Sequence, residues 1–168
     1  MSDAGVSAPE HLAAEHELAA FDSGTPDLDT WLKRRALGNE ALGASRTYVV
    51  TAGGRRVVGF YALATGAVDH RSVSARTRRN MPDPIPVMVL ARLGVDSGYQ
   101  RRGLGAALLR DALLRTVAAA QIAGIRAVLL HAMSDDAKRF YQRAGFYACP
   151  VDPMMMMITL DEVEKNLA

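Results

Sequence analysis

The chain of 168 residues has a single cysteine, Cys149, so it has no intramolecular disulfide and no cysteine-based zinc cluster. No apolar run approaches the roughly 20 residues a membrane-spanning helix needs, so no membrane partner is expected. The opening MSDAGVSAPEHLAAEHEL carries acids where a secretory signal has a basic start and an apolar stretch. A cytoplasmic location is therefore expected. The histidines His11, His16, His70 and His131 have no mutual metal spacing, and no metal is expected. No internal repeat or linker divides the chain, which reads as one domain over 1–168 with a flexible tail over 1–10.

Net charge is only +2, but it is unevenly spread. Between Trp31 and Arg126, 16 Lys and Arg stand against 5 acids, and the rest of the chain holds 4 basic and 13 acidic residues. Three groups stand out: Lys33-Arg34-Arg35, the run Arg71, Arg76, Arg78, Arg79, and Arg101-Arg102. Charge leaves two readings open, a solvated surface or a face for a polyanion.

A helix opens at Thr25 as N-cap with Pro26 in its first position, and Trp31 and Leu32 read as core anchors. SRTYVVT and RRVVGFYALATG are β-branched and aromatic strands around a turn at Ala52-Gly53-Gly54. An irregular basic segment over 68–86 precedes a third strand, VMVLARLGV. A long amphipathic helix then runs to about Gly124, with Arg110, Asp111, Arg115 and Gln121 on its polar side. RAVLLHAM is a buried strand that places His131 in the interior or a cleft, and Ser134 caps a helix that stops at Gly145. FYACPVDP and MMMMITL supply two last strands, the methionines as flexible core side chains. The order implies a mixed α/β sheet flanked by helices.

The chemically telling passage is YQRRGLGAALLRDALL, where a strand, a glycine loop and a helix follow one another. Helix N-termini expose unpaired N–H groups and favour negative charge. Gly103 and Gly105 let a ligand lie on the backbone, and Arg101 and Arg102 add charge. A triphosphate P-loop needs Lys then Ser or Thr after its second glycine, and both are missing. A dinucleotide fingerprint needs a third glycine where Leu108 stands. The loop reads as a pyrophosphate cradle of another type.

LARLGVDSGYQRRGLGAALL resembles the acetyl-CoA signature of GNAT-type N-acetyltransferases, carried by Gln100, Gly103 and Gly105. AKRFYQRAGF, with Phe140-Tyr141 and Gly145-Phe146, resembles a second landmark of that superfamily. FDSGTPDLDTWLKRRALGNEALGASRTYVV is similar to the opening of its toxin branch, the TacT and AtaT type. The resemblance implies the GNAT fold, in which two neighbouring parallel strands splay apart to admit the pantetheine arm of acetyl-CoA. It assigns Leu93, Gly94 and Val95 to that arm and the backbone of Arg101, Arg102, Gly103, Leu104, Gly105 and Ala106 to the pyrophosphate. Gln100, Ser134 and Lys138 join the cofactor set. Arg101 departs from the pattern, since many members have glycine there.

The same resemblance implies acetylation of the α-amino group of aminoacyl-tRNA, a ribbon-helix-helix DNA-binding antitoxin as partner, and a homodimer. The polyanion reading then gains a partner, with Lys33, Arg34, Arg35, Arg46, Arg76, Arg78, Arg79 and Arg92 as expected RNA contacts. Tyr141 is the expected catalytic residue, a phenol donating to the leaving thiolate, with no acetyl-enzyme because neither motif holds a cysteine. Two alternatives remain at this point. A GNAT for a small amine or a protein N-terminus would not need the basic groups, and a non-catalytic CoA-binding regulator would not need Tyr141.

Overall fold

The computed structural model describes residues 5–167, which form two compact units. Unit 1 holds residues up to Ala64 and Ala91–Ala112, and unit 2 holds Thr65–Leu90 and the chain from Leu113 onward. The strands are β1 (Glu10–His11), β2 (Arg46–Ala52), β3 (Arg56–Val68), β4 (Ile85–Val95), β5 (Ala127–His131), β6 (Tyr147–Ala148) and β7 (Met155–Thr159). The helices are α1 (Pro26–Arg34), α2 (Ala36–Leu42), α3 (Ala75–Arg78), α4 (Leu104–Ala119), α5 (Asp135–Arg143) and α6 (Leu160–Leu167). The strands form one mixed sheet in the order β1-β2-β3-β4-β5-β7-β6.

In unit 1, β2 and β3 make the antiparallel hairpin expected around Gly53-Gly54, from Arg46↔Leu63 to Ala52↔Arg56, with an irregularity between Val50 and Thr51. Within the segment expected as a tail over 1–10, the described residues pair with the sheet. Val6 is buried and bridges Ala52, Ser7 N–H donates to Thr51 O at 2.8 Å, and Glu10 pairs with Val49. Backbone hydrogen bonding holds this segment to the sheet without any strand pattern of its own. Residues 1–4 lie outside the described residues.

The helix from Pro26 breaks at Arg35, whose φ of −117° leaves the helical range, and α2 follows at once. Thr25 holds the N-cap position but its hydroxyl makes no capping bond. The Asp29 carboxylate instead takes the Ser23 Oγ–H at 2.6 Å and the Ser23 N–H at 3.1 Å. Leu28, Leu32 and Ala36 pack with Phe21, Val49, Val57 and Phe60 into one core cluster. Phe21 meets Phe60 edge-on at 5.5 Å, a favoured aromatic geometry. Leu32 is the expected anchor, whereas Trp31 is half-buried and stacks on Phe60 at 6.2 Å.

In unit 2, β5 is central. It pairs in parallel with β4 over Val87–Val89 and antiparallel with β7 from Ala127↔Thr159 to His131↔Met155. The parallel pairing of β4 with β5 runs from Val87↔Ala127 to Val89↔Leu129. Met155 and Met157 are buried with Val73, Ile85, Val87, Ala127 and Cys149, which makes the methionine run core as expected.

Two expectations need correction in and beyond this unit. His131 is exposed, not interior, and lies 3.7 Å from Asp152. The helix α4 ends at Ala119, five residues short of Gly124. On its polar side, Asp111 accepts the hydroxyl proton of the buried Tyr61 at 2.6 Å. The last helix, α6, has no counterpart among the elements expected from the sequence.

Candidate active site: a backbone cradle and a buried phenol

The cradle is built within unit 1. Asp96 follows β4, is 4% exposed, and accepts the Asp22 N–H at 3.0 Å and the Gly98 N–H at 3.1 Å. Arg56 lies 3.7 Å from it, and Ser97 N–H donates to Asp22 O at 2.7 Å. Gln100 spends its amide Nε2 on Ser23 O and Val95 O, both at 2.9 Å. Its side chain therefore shapes the loop and ties it to the turn before α1. The loop is thus pinned at both ends before any ligand arrives, which lowers the entropy lost on binding.

Beyond Gln100 the chain turns through two left-handed residues, Arg101 at φ 64° and Gly103 at φ 80°. The resemblance singled out Arg101 as a departure, and the backbone supplies the reason glycine suits the position: an L side chain is strained there. Arg101→Gly is expected to raise stability to chemical denaturation by about 0.5–1 kcal/mol, the strain relieved less the added unfolded-state freedom. A loss of stability would contradict that account.

The turn delivers the chain into the 16-residue helix α4. Ala107 N–H donates to Gly103 O at 3.1 Å, and among the described residues no carbonyl is paired with the N–H groups of Gly103, Leu104, Gly105 or Ala106. Four amides at the positive end of a long helix fit an anionic pyrophosphate. Arg102 sits over the Tyr99 ring at 5.0 Å and Arg56 flanks the same ring at 5.9 Å, which adds positive charge beside the loop. Leu93 and Val95 are half-buried on β4. Gly94 serves packing: a Cβ there would lie 2.5 Å from Leu28 Cδ2 and 3.1 Å from Phe60 Cε1.

Ser134, Lys138 and Tyr141 belong to α5 in unit 2. Ser134 caps the helix as expected, its Oγ accepting the Ala137 N–H at 3.1 Å, with Asp135 and Asp136 in the first turn. Lys138 is half-buried. Tyr141 is buried between Phe140 and Phe146, at 5.0 and 5.7 Å between ring centroids, and among the described residues its hydroxyl makes no hydrogen bond. Burial pushes this phenol up to about 12, so it is neutral and a donor throughout the physiological range. Cys149 is also buried, and that burial, followed by the charge of Asp152, pushes its thiol up to about 11. Such a thiol is a poor nucleophile.

The expected RNA contacts divide into two groups. Lys33, Arg34 and Arg35 are exposed at the end of α1, and Arg79 is exposed after α3. The others are engaged within the fold. Arg46 pairs with Glu40 at 2.8 Å, Arg76 pairs with Glu162 at 2.9 Å, and Arg78 donates to Val73 O at 2.8 Å. Arg92 lies over the Trp31 ring at 5.1 Å and donates to Ala91 O.

Residues 43–148 match the family described as the acetyltransferase (GNAT) domain. Over 158 residues, 94% of this chain and 95% of the relative, the sequence is 48% identical to the tRNA-acetylating toxin of Mycobacterium tuberculosis. It is 30% identical to the probable toxin TacT of Sinorhizobium fredii, with 89% and 88% of the two chains covered. The fold matches AtaT complexed with acetyl-methionyl-tRNAfMet at a TM-score of 0.89 and 23% identity, covering 97% of this chain and 99% of that one. It matches AtaTR bound with AcCoA at 0.84 and 23%, covering 99% and 100%. The chain belongs to the GNAT family of acetyltransferases.

Proposed function

We propose that this protein is a toxin that moves an acetyl group from acetyl-CoA to the α-amino group of aminoacyl-tRNA and so blocks translation. The observation that carries the reading is the 48% identity, across 94% of the chain, to a relative named for acetylating tRNA. The cradle at Gly103–Ala106 and the neutral phenol of Tyr141 supply the chemistry such a reaction needs.

Acetyl-CoA, when bound, supplies an activated acetyl thioester. The amides of Gly103–Ala106 hold its pyrophosphate, and the main chain of Leu93–Val95 lines the pantetheine arm and meets the developing oxyanion. Tyr141 donates a hydrogen bond to the leaving sulfur. The acceptor nitrogen bonds to the acetyl carbon, the carbon–sulfur bond breaks, the amine releases its proton to water, and the thiolate takes one from water. The inert thiol of Cys149 keeps the route direct, with no acetyl-enzyme. An α-amine titrating near 8 needs little help to lose its proton.

The reading extends to the cell. A tRNA substrate places the protein in the cytoplasm. A DNA-binding antitoxin is its partner, in line with the solved AtaT-AtaR complex bound to DNA and the KacTA-DNA complex. The ribbon-helix-helix type of that antitoxin and a homodimer as the working form rest on the family resemblance alone. The deciding experiment is mass spectrometry of total aminoacyl-tRNA after incubation with the protein and acetyl-CoA. Acetyl groups on the aminoacyl amine are expected, and transfer only to small amines or protein N-termini would overturn the reading.

A further inference from the structure

The basic segment after residue 70 ends in α3, a helix of four residues that is too short to hold itself. It is clamped from far along the chain. Arg126 donates through Nε to Thr77 O at 2.9 Å and through Nη2 to Arg76 O at 2.7 Å. The Arg76 guanidinium lies 3.8 Å above the Tyr147 ring and pairs with Glu162 Oε2 at 2.9 Å. Tyr147 donates its hydroxyl proton to Glu162 Oε1 at 3.0 Å, so the Thr77 hydroxyl, 3.2 Å away, donates to Tyr147.

Glu162 is itself fixed. With Thr159 it forms a reciprocal capping box at the start of α6: Thr159 N–H and Oγ–H donate to Oε1 at 3.0 and 2.7 Å, and Glu162 N–H donates to Thr159 Oγ1 at 3.3 Å. Partial burial works against the charged carboxyl. The bonds from Thr159 and Tyr147 and the charge of Arg76 outweigh it, so the group titrates below the usual carboxylate range. A guanidinium stacked on a ring and paired with a fixed carboxylate is held in one orientation, which makes Arg76 a strut for the segment carrying Arg79.

We propose that Glu162 is a positioning residue for the acceptor: through Arg76 and Tyr147 it holds α3 so that Arg79 faces the phosphate backbone of the bound RNA. This rests on the tRNA-acetylating reading above. Glu162→Gln tests it, because the amide oxygen still accepts from Thr159 and Tyr147 while the amide nitrogen offers Arg76 no acceptor. The KM for aminoacyl-tRNA is expected to rise roughly ten-fold, with kcat and the KM for acetyl-CoA unchanged. Arg76→Gln should give the same rise, and the double variant no more than either single one, since both break one contact.

An unchanged or lower KM for RNA in Glu162→Gln would overturn the proposal, since Arg76 would then be a direct contact that Glu162 restrains. Additive effects of the two substitutions would overturn it too, as would a parallel rise in the KM for acetyl-CoA. If the unsubstituted protein acetylates some other acceptor and no aminoacyl-tRNA, the functional reading itself fails and this proposal falls with it. That outcome is distinct from a working enzyme that ignores Glu162→Gln.

Discussion

Tyr141→Phe is expected to lower kcat by about 10²- to 10³-fold, the usual cost of removing one donor aimed at developing charge. Acetyl-CoA affinity should stay unchanged, because the ring contacts with Phe140 and Phe146 survive the loss of one oxygen. The structure sharpens the role first assigned to this phenol. Full proton transfer from a group at about 12 to a thiolate near 8.5 is uphill by roughly 5 kcal/mol, so the phenol donates a hydrogen bond and keeps its proton. The activity therefore has no alkaline limb from Tyr141 below about pH 11, and kcat/KM should rise to a plateau as the acceptor amine loses its proton near pH 8. The sign for stability is opposite. Because folding raises this pKa, the unfolded chain ionises first, and native stability should begin to fall above pH 10 as the pH climbs towards about 12. A variant with normal kcat would remove Tyr141 from the chemistry, and steady-state kinetics with a parallel acetyl-CoA titration read both quantities.

What the sequence shows of this site follows from the range of the forces involved. The cradle was legible because a glycine turn feeding a helix N-terminus is a local device, written in consecutive residues from Gln100 to Ala106. The cap at Ser134 was legible for the same reason. Features set by distant partners were not. The close approach of Leu28, which leaves no room for a Cβ at Gly94, has no signal near Gly94 in the sequence. Arg76 looked like an open cation, yet its partner Glu162 lies 86 residues on. The strand β1 has only Glu10 and His11, both exposed, and exists because β2 offers them main-chain partners. The helix α6 did leave a local signal, since Thr159 followed three residues later by Glu162 is a capping box. The apolar run MMMMITL carries a strand pattern right up to that point.

The second large effect should come from α1. Of the cations expected on the RNA, Lys33, Arg34 and Arg35 are exposed and lie together at the helix end, whereas Arg46 and Arg78 already serve Glu40 and Val73 O. Neutralising all three with Lys33→Gln, Arg34→Gln and Arg35→Gln is expected to raise the KM for aminoacyl-tRNA by about 30- to 100-fold near 0.1 M salt, as lost phosphate contacts do. The slope of log(kcat/KM) against log salt should become shallower by about 2 to 3, one step of roughly 0.7–0.9 for each contact released. Glutamine is chosen over glutamate because Lys33 and Arg34 also complement the helix dipole, where reversed charge would cost stability as well as binding. The KM for acetyl-CoA reports on the cradle and should not move. A salt slope equal to that of the unsubstituted protein would take these three residues off the RNA and leave Arg79 and its clamped segment as the electrostatic footprint.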